Sequence, residues 1–371
     1  MAKDLVLLGG GHAHMVALSR LREFRERGHK ITVVQPAEHH YYSGMGPGML
    51  SRIYSPEEIR FHTKVIVEKQ GGRFLLDRAD TIQAEQKMVR LASGQSLPYD
   101  VLSCNVGSSV ASDLAGSNGD VFPVKPIASL LNARQRVLEA ASTGRLELGV
   151  VGGGPAAMEI AGNVRRLLGD EGSGQYQVRI FAGRRFLARL PRKVRMKAGR
   201  KLAALDIQVL EEGYVHDIQG GEVRLENGAV YPADMVFLAT GVRPSGLFSR
   251  SDLAVGPDGG LQVNRYLQHV EHPEIFGGGD CIYFQDQPLD KVGVYAVRQN
   301  PVLADNLLSA LEGRPLSPFE PGGDYMLIYN LGDGTGLLHK GWLTLNGRLA
   351  FRIKDSIDRK FMRRFQAMEA G

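Results

Sequence analysis

The stretch LLGGGHAHM, residues 7–15, joins a short apolar run to a segment with helical spacing, so it reads as a glycine turn between strand and helix. Asp4 to Leu8 supplies the strand. A helix is predicted from about Ala13 to Arg27, closed by Gly28, and a second strand follows from Lys30 to Gln35. Gly9 lets the backbone turn tightly. Gly11 leaves the amides open to an anion, which the helix N-terminus attracts. These are two of the three glycine duties in a dinucleotide-binding turn. The third, where glycine or alanine lets helix approach strand, falls on His14. The stretch therefore predicts a nucleotide site with a loosened third position. It does not predict a metal site, because His12 and His14 lie two apart and His39 and His40 add no recognised ligand spacing.

The pattern returns at residues 146–168, LELGVVGGGPAAMEIAGNVRRLL, followed by the strand QVRIF at 177–181. Gly152, Gly154 and Ala157 take the three turn positions. One such match is weak evidence, but two, each between strand and helix, predict an α/β fold with two Rossmann-like dinucleotide-binding domains. In this fold the end of the second strand reads the adenosine ribose. Gln35 holds that position in the first unit and Ala182 in the second, followed by Gly183, Arg184 and Arg185. Two readings of these arginines stand. They pair a 2′-phosphate, favouring NADP(H), or they belong to a solvated basic face that continues through Arg189, Arg192, Lys193, Arg195, Arg200 and Lys201.

Composition narrows the class. The chain has 371 residues, 43% hydrophobic and 23% charged, enough for two or three domains. Cys104 and Cys281 form no CxxC, which argues against a disulfide scaffold and fits a reducing, cytoplasmic setting. No basic-then-apolar leader opens the sequence, and no apolar run approaches the ~18 residues of a membrane span. The net charge of +5 is mild, and no aromatic-basic interleaving suggests nucleic acid. Near the C-terminus, Ile353, Ile357, Phe361, Phe365 and Met368 fall on one helical stripe, with Lys354, Arg359, Lys360, Arg363 and Arg364 elsewhere around the helix. Such a helix lies on an anionic membrane, here the inner face, or docks on its own protein or on a homodimer partner.

At HPEIFGGGDC, residues 272–281, the chain resembles the flavoproteins with two dinucleotide-binding domains, the pyridine nucleotide-disulfide reductases and type II NADH dehydrogenases. YDVLSCNVGS at 99–108 and DMVFLATGVRPS at 234–245 resemble the strands that close the two domains. The resemblance implies that the first unit binds FAD and the second, inserted in it, binds NADPH or NADH. It places Asp280 on the flavin ribityl chain and extends the FAD set to Gly9, Gly11, His14, Gln35, Tyr42, Ser43, Pro47, Thr81, Gly107, Gly279 and Val294. The NAD(P) set comprises Gly152, Gly154, Ala157, Arg184, Arg185 and Gly241, with Glu159 near the nicotinamide. YYSGMGPGM (41–49), PVKPI (123–127), VGVYAVRQNPVLADNL (292–307) and GRLAFRIKDSIDRKFMRRF (347–365) further resemble the FAD oxidoreductases fused to, or linked with, selenophosphate synthetase.

Absent residues carry as much information. Disulfide reductases of this family carry redox cysteines after the second strand, whereas residues 41–48 contain none, so dithiol chemistry lacks its nucleophile. The AQxAxQ quinone motif of type II NADH dehydrogenases loses both glutamines at residues 293–298, with Gln299 one place late. Lys291, just before a helix predicted from near Val292, either stabilises negative charge on reduced flavin or is a surface lysine. Glu159 and Lys291 are the candidate catalytic residues. The expected organisation is an FAD domain in two parts, 1–120 and 242–320, an NAD(P) domain at 121–241, and a C-terminal segment at 321–371 with a basic amphipathic helix. The favoured function is an FAD-dependent NAD(P)H oxidoreductase serving a small-molecule acceptor such as a quinone. A soluble reductase in selenium or sulfur metabolism is the second reading, and a flavin-bearing sensor or partner-binding subunit the third.

Overall fold

The computed structural model describes residues 2–111, 114, 120–170 and 174–370. Two five-stranded parallel sheets form its two centres. In the first, the strands run in the order Ile275–Gly277, Val101–Cys104, Asp4–Leu8, Lys30–Gln35, Arg73–Leu76. In the second the order is Asp120–Pro123, Met235–Leu238, Arg145–Val151, Gln175–Phe181, Ile207–Leu210. Each sheet thus has its glycine-turn strand in the middle. Residues 5–8 and 148–151 are buried throughout, as expected of central parallel strands covered on both faces.

The duplication extends beyond the sheets. Each is followed in the chain by a three-stranded antiparallel meander, Ala79–Gln83 to Ser96–Pro98 in one and Val215–Gln219 to Val230–Pro232 in the other. After each meander comes the strand that pairs with the turn strand, and that strand runs out at a left-handed glycine, Gly107 (φ 72°) or Gly241 (φ 101°). Ile275–Gly277 returns to the first sheet only after the second is complete, so the second domain is inserted in the first. The residues about the expected first boundary, 115–119, lie outside the described residues.

One element differs from its expected form. The helix predicted from Ala13 to Arg27 is divided into a tight turn, His12–His14, and two short helices, Met15–Ser19 and Leu21–Glu26. Arg20 leaves helical geometry (φ −117°, ψ 13°), and its guanidinium is tied to Glu23 and to Asp305 of the long helix Gly293–Glu312. The C-terminal segment adds a three-stranded antiparallel sheet, Leu327–Asn330, Gly336–Lys340 and Leu343–Gly347, and the helix Arg348–Ala370. That helix crosses back onto the first domain and packs against the strand Arg60–His62.

Candidate dinucleotide sites

The first turn is built by close approach. A Cβ on Gly9 would meet the Asn105 carbonyl oxygen at 2.3 Å, and one on Gly11 would meet Asn105 Oδ1 at 2.4 Å. Asn105 therefore sets the spacing between the turn and the closing strand. Its side-chain N–H donates to the Gly278 carbonyl (2.6 Å) and its Oδ1 accepts from Ala13 N–H (3.3 Å), tying the turn to the GGGD segment. Among the described residues the N–H groups of Gly11 and His12 meet no acceptor. Two free amides at a glycine turn form a cradle for an anion, so the residues present fit the diphosphate of a dinucleotide.

His14 turns away from that cradle. It is fully buried, with Nδ1 2.6 Å from the Gly9 carbonyl oxygen and Nε2 2.8 Å from Ser103 Oγ. It pins the turn to the neighbouring strand, a task that the missing glycine would leave to close packing. Gln35 is likewise buried, and its amide is engaged within the protein. Its Oε1 accepts from Gly10 N–H (2.9 Å) and its Nε2 donates to the carbonyls of Ala37 (2.5 Å) and His39 (3.2 Å). Both residues shape the turn from behind.

Asp280 sits 2.6 Å from Lys125 Nζ and 2.9 Å from Ser108 Oγ. Burial alone would raise its pKa, but the Lys125 ammonium and the two hydrogen bonds outweigh that and hold it below the ordinary carboxylate range. The preceding Gly279 (φ 79°) donates its N–H to Gln299 Oε1 at 2.7 Å. Sequence reasoning assigned no role to Lys125. Its one signal was the PVKPI motif, which carried a resemblance but no geometry. Lys291 Nζ is occupied by Asp258 Oδ2 (2.7 Å) and the Ile282 carbonyl. Val294 lies in the first turn of the helix Gly293–Glu312.

Tyr42 donates its hydroxyl to Asp358 Oδ1 (3.0 Å), and Ser43 and Pro47 follow it in two short turns of helix. Thr81 lies apart on the first meander, opposite Arg90 at a bulge, and makes no hydrogen bond with the rest of the set.

The second turn repeats the close approach. A Cβ on Gly152 would lie 2.2 Å from the Ala239 carbonyl oxygen, whereas one on Gly154 would meet nothing within 4 Å. Pro155 starts a helix that runs to Asp170, with Ala157 buried against the sheet. Ala182 is buried, while Arg184 and Arg185 are exposed, the former 5.7 Å above the Tyr214 ring. Glu159 accepts the Asn330 N–H at 2.7 Å, which joins the second domain to the C-terminal sheet. Burial pushes its carboxyl up to about 7, against the pull of Lys354 and the Asn330 bond.

Both cysteines are buried, and burial raises their thiols, Cys104 well above its ordinary range and Cys281 to about 11. Neither is in reach of solvent for dithiol exchange.

Comparison with known proteins agrees with this geometry. Residues 3–306 match the pyridine nucleotide-disulphide oxidoreductase family, and the chain belongs to that family. It is an FAD-dependent NAD(P)H oxidoreductase. The chain is 25% identical to ferroptosis suppressor protein 1 of Taeniopygia guttata over 95% of this chain and 92% of that one. It is 26% identical to the demethylphylloquinone reductase NdbB of Synechocystis, over 87% and 84% respectively. Among solved structures, the sulfide:quinone oxidoreductase of Aquifex aeolicus superposes with a TM-score of 0.82 at 16% identity, covering 99% of this chain and 92% of that one. NDH2 of Plasmodium falciparum gives 0.80 at 14% identity, covering 99% and 96%. At these identities the two structures show the shared fold.

Proposed function

We propose that the chain reduces a quinone with electrons drawn from NADPH or NADH. FAD, when bound, supplies the two-electron chemistry between nicotinamide and acceptor. The observation that carries the acceptor assignment is an aromatic wall beside the first turn, where the disulfide reductases have cysteines. Tyr42 and Phe361 lie 4.8 Å apart between ring centroids, and Phe361 and Phe365 4.9 Å apart. Flat apolar rings suit a flat apolar acceptor, whereas disulfide exchange needs a thiolate that this segment lacks. Similarity to a protein named as a demethylphylloquinone reductase supports the same reading.

In this reading Glu159 positions the nicotinamide, and a carboxyl that titrates near neutrality can also exchange a proton there. Arg184 and Arg185, exposed beside an Ala182 that offers no carboxylate, accept the 2′-phosphate, so NADPH serves at least as well as NADH. The domain limits are those drawn from the sequence, 1–120 with 242–320, 121–241, and 321–371. No helix among the described residues is long and apolar enough to cross a membrane. Access to a lipid-soluble acceptor then comes from peripheral attachment through the outer face of the C-terminal helix. That face exposes Arg352, Lys360, Arg363 and Arg364 together with Leu349 and Ile357.

Steady-state oxidation of NADPH and NADH tests the assignment, with a short-chain quinone, a disulfide and a selenium oxyanion offered in turn. Quinone-dependent turnover without disulfide or selenium reduction is expected. Faster turnover with either of the other acceptors contradicts it and favours the soluble reductase.

A further inference from the structure

Two imidazoles outside the residue set read from the sequence stand beside the first turn. His12 follows Gly11 directly, and His40 lies in the short strand His39–Tyr41. Their ring centroids are 5.2 Å apart in an edge-to-face arrangement. His12 also lies 5.1 Å from Tyr42 and stacks at 5.9 Å on Phe361, while His40 lies 5.2 Å from Phe61. Within this packing the Nε2 atoms of both residues are buried and have no hydrogen-bond partner among the described residues.

A buried polar atom without a partner is unfavourable enough to call for an explanation. Partnerless ring nitrogens also occur at His29, His62 and His339. What distinguishes His12 and His40 is where they stand. Both feel the charge of Lys125, and His12 also feels Asp280, the ion pair at the end of the GGGD segment. Burial pushes His12 down to about 4, with Asp280 opposing and Lys125 assisting. It pushes His40 to about 3, assisted by His12 and Lys125. Both rings are therefore neutral near pH 7, each with one N–H and one acceptor nitrogen, and in the tautomer protonated at Nε2 that atom is a donor without an oxygen. The free amides of Gly11 and His12 mark the anion position, and Asp280 is the residue that the family resemblance places on the ribityl chain. His12 bridges the two.

We propose that His12 and His40 are direct contacts of FAD, their Nε2–H groups donating to oxygens of its ribityl-diphosphate chain. Nothing in the shared glycine-turn pattern requires histidine at either position. In this reading the pair completes the cradle that Asn105 and His14 hold in place.

The test replaces each ring nitrogen while keeping the ring, with His12→Phe and His40→Phe made separately in the holoprotein. Release of flavin on serial dilution, read by its fluorescence, gives the dissociation constant. Each variant is expected to bind FAD at least about tenfold more weakly than wild type, the equivalent of one hydrogen bond. Affinities within about twofold of wild type for both variants overturn the proposal, and a loss at one residue alone overturns the assignment of the other. Should a variant fold poorly, the 15N spectrum of histidine-labelled wild-type holoprotein decides independently of substitution. Two exchange-protected Nε2–H signals that disappear when FAD is stripped support the contacts. Signals unchanged by stripping contradict them.

Discussion

Glu159 is a carboxyl held in a place that favours its neutral form, and this has a consequence for stability. In the unfolded chain it ionises around its ordinary 4.5, but in the folded chain only around 7. Between those values the unfolded state gains charge that the folded state does not. Its contribution to folding therefore falls as pH rises from 4.5 to 7, by about 3 kcal/mol, and stays lost above that. Glu159→Gln keeps an acceptor for Asn330 N–H and removes the titration. Relative to wild type, the variant is expected to become more stable as pH climbs from 4.5 to 8. Urea unfolding midpoints across that range check this, and parallel pH profiles for the two proteins would rule out the raised pKa of Glu159. The residue drew attention in the sequence only through the family resemblance, which places a glutamate two positions beyond Ala157 near the nicotinamide. Its protonation was not legible there, because the groups that perturb it, Asn330, Lys354 and Asp358, come from far along the chain. Lys125 and the inward rotation of His14 were hidden for the same reason. Each depends on a partner brought close by the sheet, not on spacing along the chain.

Among the elements, the C-terminal helix shows how an apolar stripe marks the right helix and most of its packing side, through Phe361, Phe365 and Met368, yet misses the charges buried beside it. The apolar stripe predicted Ile353, Ile357, Phe361, Phe365 and Met368 as one side. In the structure the buried side holds Lys354, Asp358, Met362 and Phe365, while Ile357 is 46% exposed. The buried charges neutralise each other at 2.6 Å, and Lys354 also donates to the Gly44 carbonyl while Asp358 accepts from Tyr42. An ion pair four residues apart reads as a solvated face until its partners are known. This separates two roles that the stripe had merged. Truncation after Arg348 should strip the wall from Tyr42 and Phe61 and release flavin, because Phe361 and Phe365 pack there. Lys360→Glu/Arg363→Glu, confined to the exposed face, should leave flavin content unchanged. It should weaken sedimentation with anionic vesicles by roughly 2 kcal/mol or more, since each basic residue near the surface contributes ~1 kcal/mol. Flavin loss in this double variant, or vesicle binding equal to wild type, would remove the outer face from membrane attachment.

The whole molecule is a duplication, and the duplication is what made it readable. Gly9 and Gly152 each bring the backbone against a closing strand, at Asn105 and Ala239, so each turn carried its glycines for a steric reason that survives in sequence. Strand order, meander and closing strand repeat around those turns. The C-terminal sheet has no such signature in the sequence, because its register depends on pairing between Leu327–Asn330 and Gly336–Lys340, whose strands show no marked alternation. We propose that the two turns hold different dinucleotides, FAD at the first and the nicotinamide nucleotide at the second. Gly154 offers a clean separation, since a Cβ there meets nothing within 4 Å, and the residue directly precedes the helix Pro155–Asp170, whose N-terminus attracts a diphosphate. The measurement is anaerobic stopped-flow bleaching of the flavin absorbance by NADPH and by NADH in Gly154→Asp. The protein should be yellow with full flavin content, its bleaching slowed at least about a hundredfold at subsaturating nucleotide, while dithionite still reduces it completely. A Gly154→Asp protein that loses its flavin, or one that is bleached by NAD(P)H as fast as wild type, would contradict it.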